Sequence, residues 1–269
     1  MAPPYRIMGI VNVTPDSFSD GGEWFEREAA IAHGRLLAEE GASILDVGGE
    51  STRPGAAPVS LDEELRRVVP VVDALRETGA QLSVDTMKLA VAEAAVDAGA
   101  TLINDVTAFR NDPALAGFVA DRGCDCCLMH MLGEPRTMQD DPRYDDVVDD
   151  VKAFLEERME FATAAGVREE RIWLDPGIGF GKTVEHNLEL LARLDEIVAL
   201  GRPVLLGASR KRFLGRLLGD DEAMTGTVSA GVAVAVLAYE RGATIFRVHD
   251  VREHVEALAA ARALEEVSS

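Results

Sequence analysis

The sequence predicts an α/β fold: a single (β/α)8 TIM barrel, with eight parallel strands closed into a cylinder inside a ring of eight helices. Two observations carry this. Short apolar runs alternate strictly with amphipathic stretches, eight of each over about 260 residues, the size at which such a barrel closes. Each apolar run also ends in, or feeds, a polar group, as expected when chemistry is gathered at the C-terminal mouth of a barrel. An open doubly wound sheet is the competing architecture, and the lack of GxGxxG after the first strand argues against it.

The elements follow in order. The first apolar run, 7–12, reads as a buried strand ending at Asn12. The loop after it, 13–22, holds a proline, a lone phenylalanine, two aspartates and paired glycines, so its backbone belongs on the surface. A helix over 26–40 stops at Gly41-Ala42, and strand 44–47 carries Asp46 into GGESTRPGA. Helix 61–76 stops at Gly79-Ala80, strand 81–85 ends at Asp85, and helix 87–98 stops at Gly99-Ala100. Strand 102–105 ends in Asn104-Asp105 before a helix over 113–121. Strand 124–130 ends in Met129-His130 before a longer helix over 146–165. Strand 172–175 ends at Asp175, ahead of PGIGFGK and a helix over 183–200. Strand 204–208 leads into Ser209-Arg210-Lys211 and a helix over 225–241 that stops at Gly242-Ala243. Strand 245–248 leads into Arg247-Val248-His249-Asp250 and a last helix over 252–266. A glycine just past a helix end is the usual stop signal, because it accepts the left-handed conformation found there.

The chain has 269 residues, 47% hydrophobic and only 5% aromatic, with no repeat, low-complexity tract or Gly/Ser linker, so one domain over 1–269 is expected. The N-terminus lacks the pattern of a signal peptide, and the longest apolar stretch, 228–238, is too short for a bilayer. A formal charge of -20 repels nucleic acid and anionic membranes, neither of which is expected as a partner. Three cysteines at 124, 126 and 127 suit a reducing compartment, and a cytoplasmic location is expected.

Two motifs suggest chemistry that their context does not support. GIGFGKT resembles a nucleotide loop, but the position that should hold the first glycine is Pro176. Its glycines better suit backbone passing close to a ligand. Cys124-Asp125-Cys126-Cys127 contains a C-x-x-C inside an apolar strand, where Cys126 and Cys127 face opposite ways, and no second pair exists. Core packing is the reading taken.

The central constellation is Asp85, Asn104 and Asp175. Asp85 could serve only to cap a helix opening at Thr86. Acceptors and an amide converging on one mouth would instead suit a flat heterocycle with a guanidine-like edge. Arg53, Lys211, Arg247 and His249 form the counterpart, four potential cations on the loops after strands two, seven and eight. Such barrels commonly bind phosphate at the last two of these. The expected ligand is a ring at one end and a phosphate at the other.

In chain order, NVTPDSFSDGG, DVGGESTRPGA, SVDT, INDV, LMHM, LDPGIGFGK, SRK and RVHDV resemble the dihydropteroate synthase family, from Ile7 to about Val251. The resemblance implies condensation of 6-hydroxymethyl-7,8-dihydropterin pyrophosphate with p-aminobenzoate, releasing pyrophosphate. It implies that Asp85, Asn104, Asp175, Gly207 and Lys211 hold the pterin, that Met129 and Phe180 wall its ring, and that Arg247 stacks on it. Asn12, Arg53, Arg247 and His249 would hold the pyrophosphate, with Asn12 toward Mg2+. Phe18, Thr52, Pro54 and Ser209 would shape the p-aminobenzoate pocket. Asp20 would lie near the reacting carbon when the first loop closes on a hinge at Gly21 and Gly22. The catalytic set implied is Asp20, Asp175, Lys211, Arg247 and His249. The partners implied are the two small-molecule substrates and a second copy in a homodimer. A pterin-dependent methyltransferase and a non-catalytic pterin-binding paralogue are the rival readings.

Overall fold

The computed structural model describes residues 4–13, 22–52, 56–134 and 136–268, with backbone alone for 22–26 and 268. Phe18, Asp20, Gly21, Arg53 and Pro54 lie outside the described residues.

Eight parallel strands form the barrel: β1 (Arg6–Asn12), β2 (Ile44–Gly48), β3 (Gln81–Asp85), β4 (Leu102–Asp105), β5 (Asp125–Met129), β6 (Ile172–Asp175), β7 (Leu205–Leu206) and β8 (Ile245–Val248). Their order in the sheet is β6-β5-β4-β3-β2-β1-β8-β7. The remaining seam is closed where the Leu174 N–H donates to the Pro203 carbonyl at 2.9 Å and Leu174 bridges Val204 in parallel. The helices are α1 (Gly22–Glu39), α2 (Leu61–Leu75), α3 (Leu89–Asp97), α4 (Ala114–Arg122), α5 (Val147–Ala164), α6 (Val184–Ala192), α7 (Leu194–Val198), α8 (Arg212–Leu217), α9 (Val228–Glu240) and α10 (Val251–Ser268). No helix among the described residues is long and apolar enough to cross a membrane.

The alternation of strand and helix is as expected, and three details differ. The stretch 183–200 is two helices, because Arg193 leaves helical geometry at φ −109°, ψ 28° while its guanidinium binds Asp146, Glu189 and Glu196. The seventh helical region starts only at Val228, capped by Thr227, and α8 stands separately before it. The seventh strand is short because the chain turns out of the sheet after Leu206, with the Lys211 N–H closing a turn on the Ala208 carbonyl at 3.2 Å. Gly41, Gly79, Gly99 and Gly242 all adopt positive φ, between 76° and 118°, as the stop signals require.

Successive strand residues point to opposite faces, so every second residue enters the barrel. Met8, Ile44, Leu102, Cys127, Trp173, Leu205 and Ile245 pack together as one buried interior floor. Below it, Arg6 donates to Gln81 Oε1 at 2.6 Å, Gln81 donates to Asp125 at 2.9 Å, and the Arg6 guanidinium lies 5.3 Å from the Trp173 ring centre. Cys126 packs in the outer core, between strands and helices, whereas Cys127 belongs to the floor. All three cysteines are buried and free.

Candidate active site

Two residues further along six of the seven strands that form it, the floor gives way to the site; on β1 Met8 is followed by the apolar Ile10. Ile44 is followed by Asp46, Leu102 by Asn104, Cys127 by Met129, Trp173 by Asp175, Leu205 by Gly207 and Ile245 by Arg247. The strand period thus stacks a polar layer directly on an apolar one. Asp85 joins it from β3, where it registers opposite Asn104.

Arg247 organises this layer. Its Nε donates to Asp46 Oδ2 at 2.7 Å and its Nη2 to Asp85 Oδ2 at 2.8 Å. The Asp46 carboxylate also accepts the Asn104 amide at 2.9 Å and the Ser83 hydroxyl. Asp46 has no solvent exposure, and the sequence reading gave it no role. It holds both Asn104 and Arg247 in place. Asp85 is therefore an ion-pair member; the helix-cap alternative fails, since α3 begins after Lys88. Burial pushes the Asp85 carboxyl up to about 7 against the opposing pull of Arg247. Burial also raises Asp175, while the Gly177 N–H donated to its Oδ1 at 2.7 Å works the other way.

Met129 brings an apolar group up to this layer. Met129 packs with Val106, Met131 and Met138, and Met87 and Phe180 lie against them. Methionine side chains adapt readily to a flat ligand. Lys211 Nζ lies 4.1 Å from the Phe180 ring centre, a cation over an aromatic face. A side chain at Gly207 would point at Arg247, with its Cβ 4.0 Å from the arginine Cβ, so glycine leaves that space open.

The loop after β6 is held by a buried lysine. Lys182 Nζ lies 2.8 Å from His130 Nδ1 and donates to the carbonyls of Gly177 and Phe180, each at 3.0 Å. Neither Lys182 nor the function of His130 as its acceptor was anticipated; only the glycine-rich context pointed there. At Gly177, φ is +68° and an added Cβ would lie 1.8 Å from the His130 carbonyl oxygen.

Facing the last two strand ends, Ser209 and His249 form a unit. The His249 backbone N–H donates to Ser209 Oγ at 3.2 Å, and Oγ lies 3.2 Å from the ring Nδ1. A hydroxyl already accepting one bond can donate its own proton to Nδ1, which leaves Nε2 as the ring donor. Burial and the neighbouring Arg247 hold the imidazole down to about 3, so it is neutral without ligand. Ser209, expected in the p-aminobenzoate pocket, is thus engaged with His249. Arg210, between these residues, adopts φ +57° and binds Asp250 through Nε at 3.0 Å and through Nη2. Asn12 ends β1 half-buried at the same mouth, and Thr52, half-buried, lies on the loop after β2.

The structure pairs Asp85 directly with Arg247, joins Asn104 to Arg247 through Asp46, and sets Lys211 against Phe180.

Comparison with known proteins settles the family. The pterin binding enzyme family matches residues 8–249. The dihydropteroate synthase of Escherichia coli K12 is 47% identical over 94% of this chain and 89% of its own length. That of Mycobacterium leprae is 48% identical over 95% of this chain and 92% of its own. The chain belongs to the dihydropteroate synthase family. Among solved structures of dihydropteroate synthases, the Xanthomonas albilineans enzyme with 4-aminobenzoic acid superposes with a TM-score of 0.90, at 50% identity over 98% of this chain and 94% of that one. The same enzyme in complex with 7,8-dihydropteroate gives 0.87, at 47% identity over 98% and 95%.

Proposed function

We propose that this protein is a dihydropteroate synthase of folate biosynthesis, a transferase that joins the methylene of 6-hydroxymethyl-7,8-dihydropterin pyrophosphate to p-aminobenzoate. The observation that carries this is the stacked layer of Asp46, Asp85, Asn104 and Arg247 beneath a methionine and phenylalanine wall, within a dihydropteroate synthase sequence.

In this reading Asp85, Asn104 and Asp175 accept and give hydrogen bonds at the pterin edge. Lys211 and Gly207 bound it, and Met129 and Phe180 cover its faces. The methylene C–O bond breaks with its electron pair leaving on pyrophosphate, and the pterin cation left behind is favoured by anionic Asp175 and, from the first loop, Asp20. The arylamine nitrogen then forms the new C–N bond and loses its proton to solvent or pyrophosphate. No strong base is needed, because an aniline nitrogen attacks while neutral. Arg247, Arg53 and the Nε2–H of His249 would hold the departing anion, with Ser209 orienting that imidazole. Phe18, Thr52 and Pro54 would shape the acceptor pocket.

Among the described residues no group of three His, Cys, Asp or Glu side chains could hold a metal. Asn12, at the end of β1, would offer its side-chain oxygen to Mg2+ bound with the pyrophosphate. When bound, the ion would neutralise charge on the leaving group.

A homodimer and a cytoplasmic location complete the proposal. Leu217, Leu218, Met224 and Leu237 are each at least half exposed around α8 and α9, which supports self-association there. Buried, unpaired cysteines suit a reducing compartment.

The test incubates the protein with pterin pyrophosphate and Mg2+, with and without p-aminobenzoate. Arylamine-dependent dihydropteroate and equal pyrophosphate are expected. Tight pterin binding without that product would leave a non-catalytic paralogue.

A further inference from the structure

Outside the polar layer, a second, partly buried charge cluster joins residues at the two ends of the loop that follows β2. Lys88, just ahead of α3, aims its ammonium at three oxygens: Glu50 Oε2 at 2.6 Å, the Val59 carbonyl at 2.9 Å and Glu64 Oε2. An ammonium has three N–H donors, so its bonding capacity is filled. Glu50 turns its other oxygen to the Val59 N–H at 3.2 Å. Glu64, fully buried on α2, uses its second oxygen to accept the Thr86 hydroxyl at 2.6 Å, and that hydroxyl accepts the Lys88 N–H at 3.2 Å.

None of the described residues from 51 to 60 is buried. The loop's start is fixed where Arg67 donates to the Gly49 carbonyl at 2.9 Å and Gly49 packs so closely on α2 that an added Cβ would meet Val68 at 2.8 Å. Beyond that, Glu50 and Val59 are joined to each other and to Lys88.

Stability alone is a poor reason for such a cluster. One ammonium, 25% exposed, faces two carboxylates of 1% and 11% exposure, and ion pairs withdrawn from water are often no better for stability than apolar residues of similar volume. What a filled, three-way clamp does supply is a fixed geometry for the backbone it grips.

We infer that Lys88 is a positioning residue for the arylamine half of the reaction: through Glu50 and Val59 it fixes the loop bearing Thr52 at the barrel mouth, without touching either substrate. This rests on the proposed function. It assigns Lys88 and Glu50 a part in acceptor recognition; the clamp meets the pterin layer at Thr86, whose hydroxyl bonds Glu64 and whose N–H donates to the Asn104 carbonyl at 3.2 Å, while Arg247 and Asp46 tie that layer together separately.

The experiment compares Lys88→Met, Lys88→Arg and Glu50→Gln with the unmodified protein. Three quantities are read: steady-state constants for p-aminobenzoate, the affinity for the pterin lacking its pyrophosphate, and amide hydrogen exchange over 49–60. Lys88→Met should raise the Michaelis constant for the arylamine at least about tenfold. Pterin affinity should fall by a much smaller factor than the arylamine constant rises, exchange over 49–60 should accelerate, and Lys88→Arg should recover part of the loss. Should Lys88→Met fail to fold, Glu50→Gln, which keeps side-chain size, should show the same selective rise. An unchanged arylamine constant despite faster exchange would overturn the inference, as would an equal loss of pterin affinity. Absence of product from the unmodified protein would overturn the function itself, a result read before any variant is compared.

Discussion

Arg247 places its guanidinium 2.8 Å from Asp85, the carboxylate proposed to receive the substrate's own guanidine-like edge. That ion pair already favours the charged carboxylate, and the proposed pterin N–H groups would add to it. Burial holds the Asp85 carboxyl up at about 7, against the pull of Arg247. A ligand that donates N–H groups to it needs the carboxylate, so binding draws its pKa down and expels a proton. Titration calorimetry at pH 6.5 in buffers of differing ionisation enthalpy should report proton release on pterin binding. Asp85→Asn should abolish it, and a binding enthalpy independent of buffer would contradict the assignment.

Asp46 should matter as much as the residues that meet the ligand. Asp46→Ala would strip Arg247 of one carboxylate and leave the Asn104 amide and Ser83 hydroxyl without their acceptor. Breaking a buried pair in this way costs roughly 3–5 kcal/mol. Denaturant unfolding should show a loss of that order, and Asp46→Asn, which keeps an acceptor, a smaller one. Equal stability of wild type and Asp46→Ala would refute the organising role.

Gly177 should tolerate no side chain. Its φ of +68° and the 1.8 Å approach of an added Cβ to the His130 carbonyl act together. Strain and overpacking each cost about 1–3 kcal/mol, so Gly177→Ala should lose several kcal/mol or fail to accumulate folded. Gly201→Ala, also at positive φ but with nothing within 4 Å of its Cβ, should be far milder.

Acid should weaken the fold through two histidines. Burial holds His130 down to about 2 and His249 to about 3, below the ordinary 6.5. Between those values the unfolded chain binds more protons than the folded one, so stability is complete above about 6.5 and falls as pH drops. The slope approaches about 1.4 kcal/mol per pH unit for each group. His249→Gln should flatten the profile over pH 3–6.5 while leaving stability at pH 8 little changed. An unaltered acid limb would argue against a neutral, buried ring.

The barrel and most of its mouth were legible because strand period and strand-end chemistry are both local properties of the chain. Asn104, Asp175 and Arg247 could be found as polar residues closing apolar runs. Asp46 obeys the same period, two residues beyond Ile44, yet it lies inside its strand and its value comes from Ser83, Asn104 and Arg247, far away in sequence. Lys182 was visible only as the lysine of an imperfect nucleotide motif; its acceptor is His130, fifty-two residues earlier. The break at Arg193 was hidden for the same reason, since no proline or glycine marks it and the side-chain partners that draw it out include Asp146. Pairings between distant side chains are set by the closed barrel and leave no trace in the local pattern.

The packed floor of Met8, Leu102, Trp173 and their neighbours, with Arg6 and Gln81 beneath it, plugs the barrel at the N-terminal ends of its strands. In the proposed function, a pterin seated in the polar layer would enter ahead of the arylamine and leave no sooner than it, so that the plug below dictates the sequence of arrivals above.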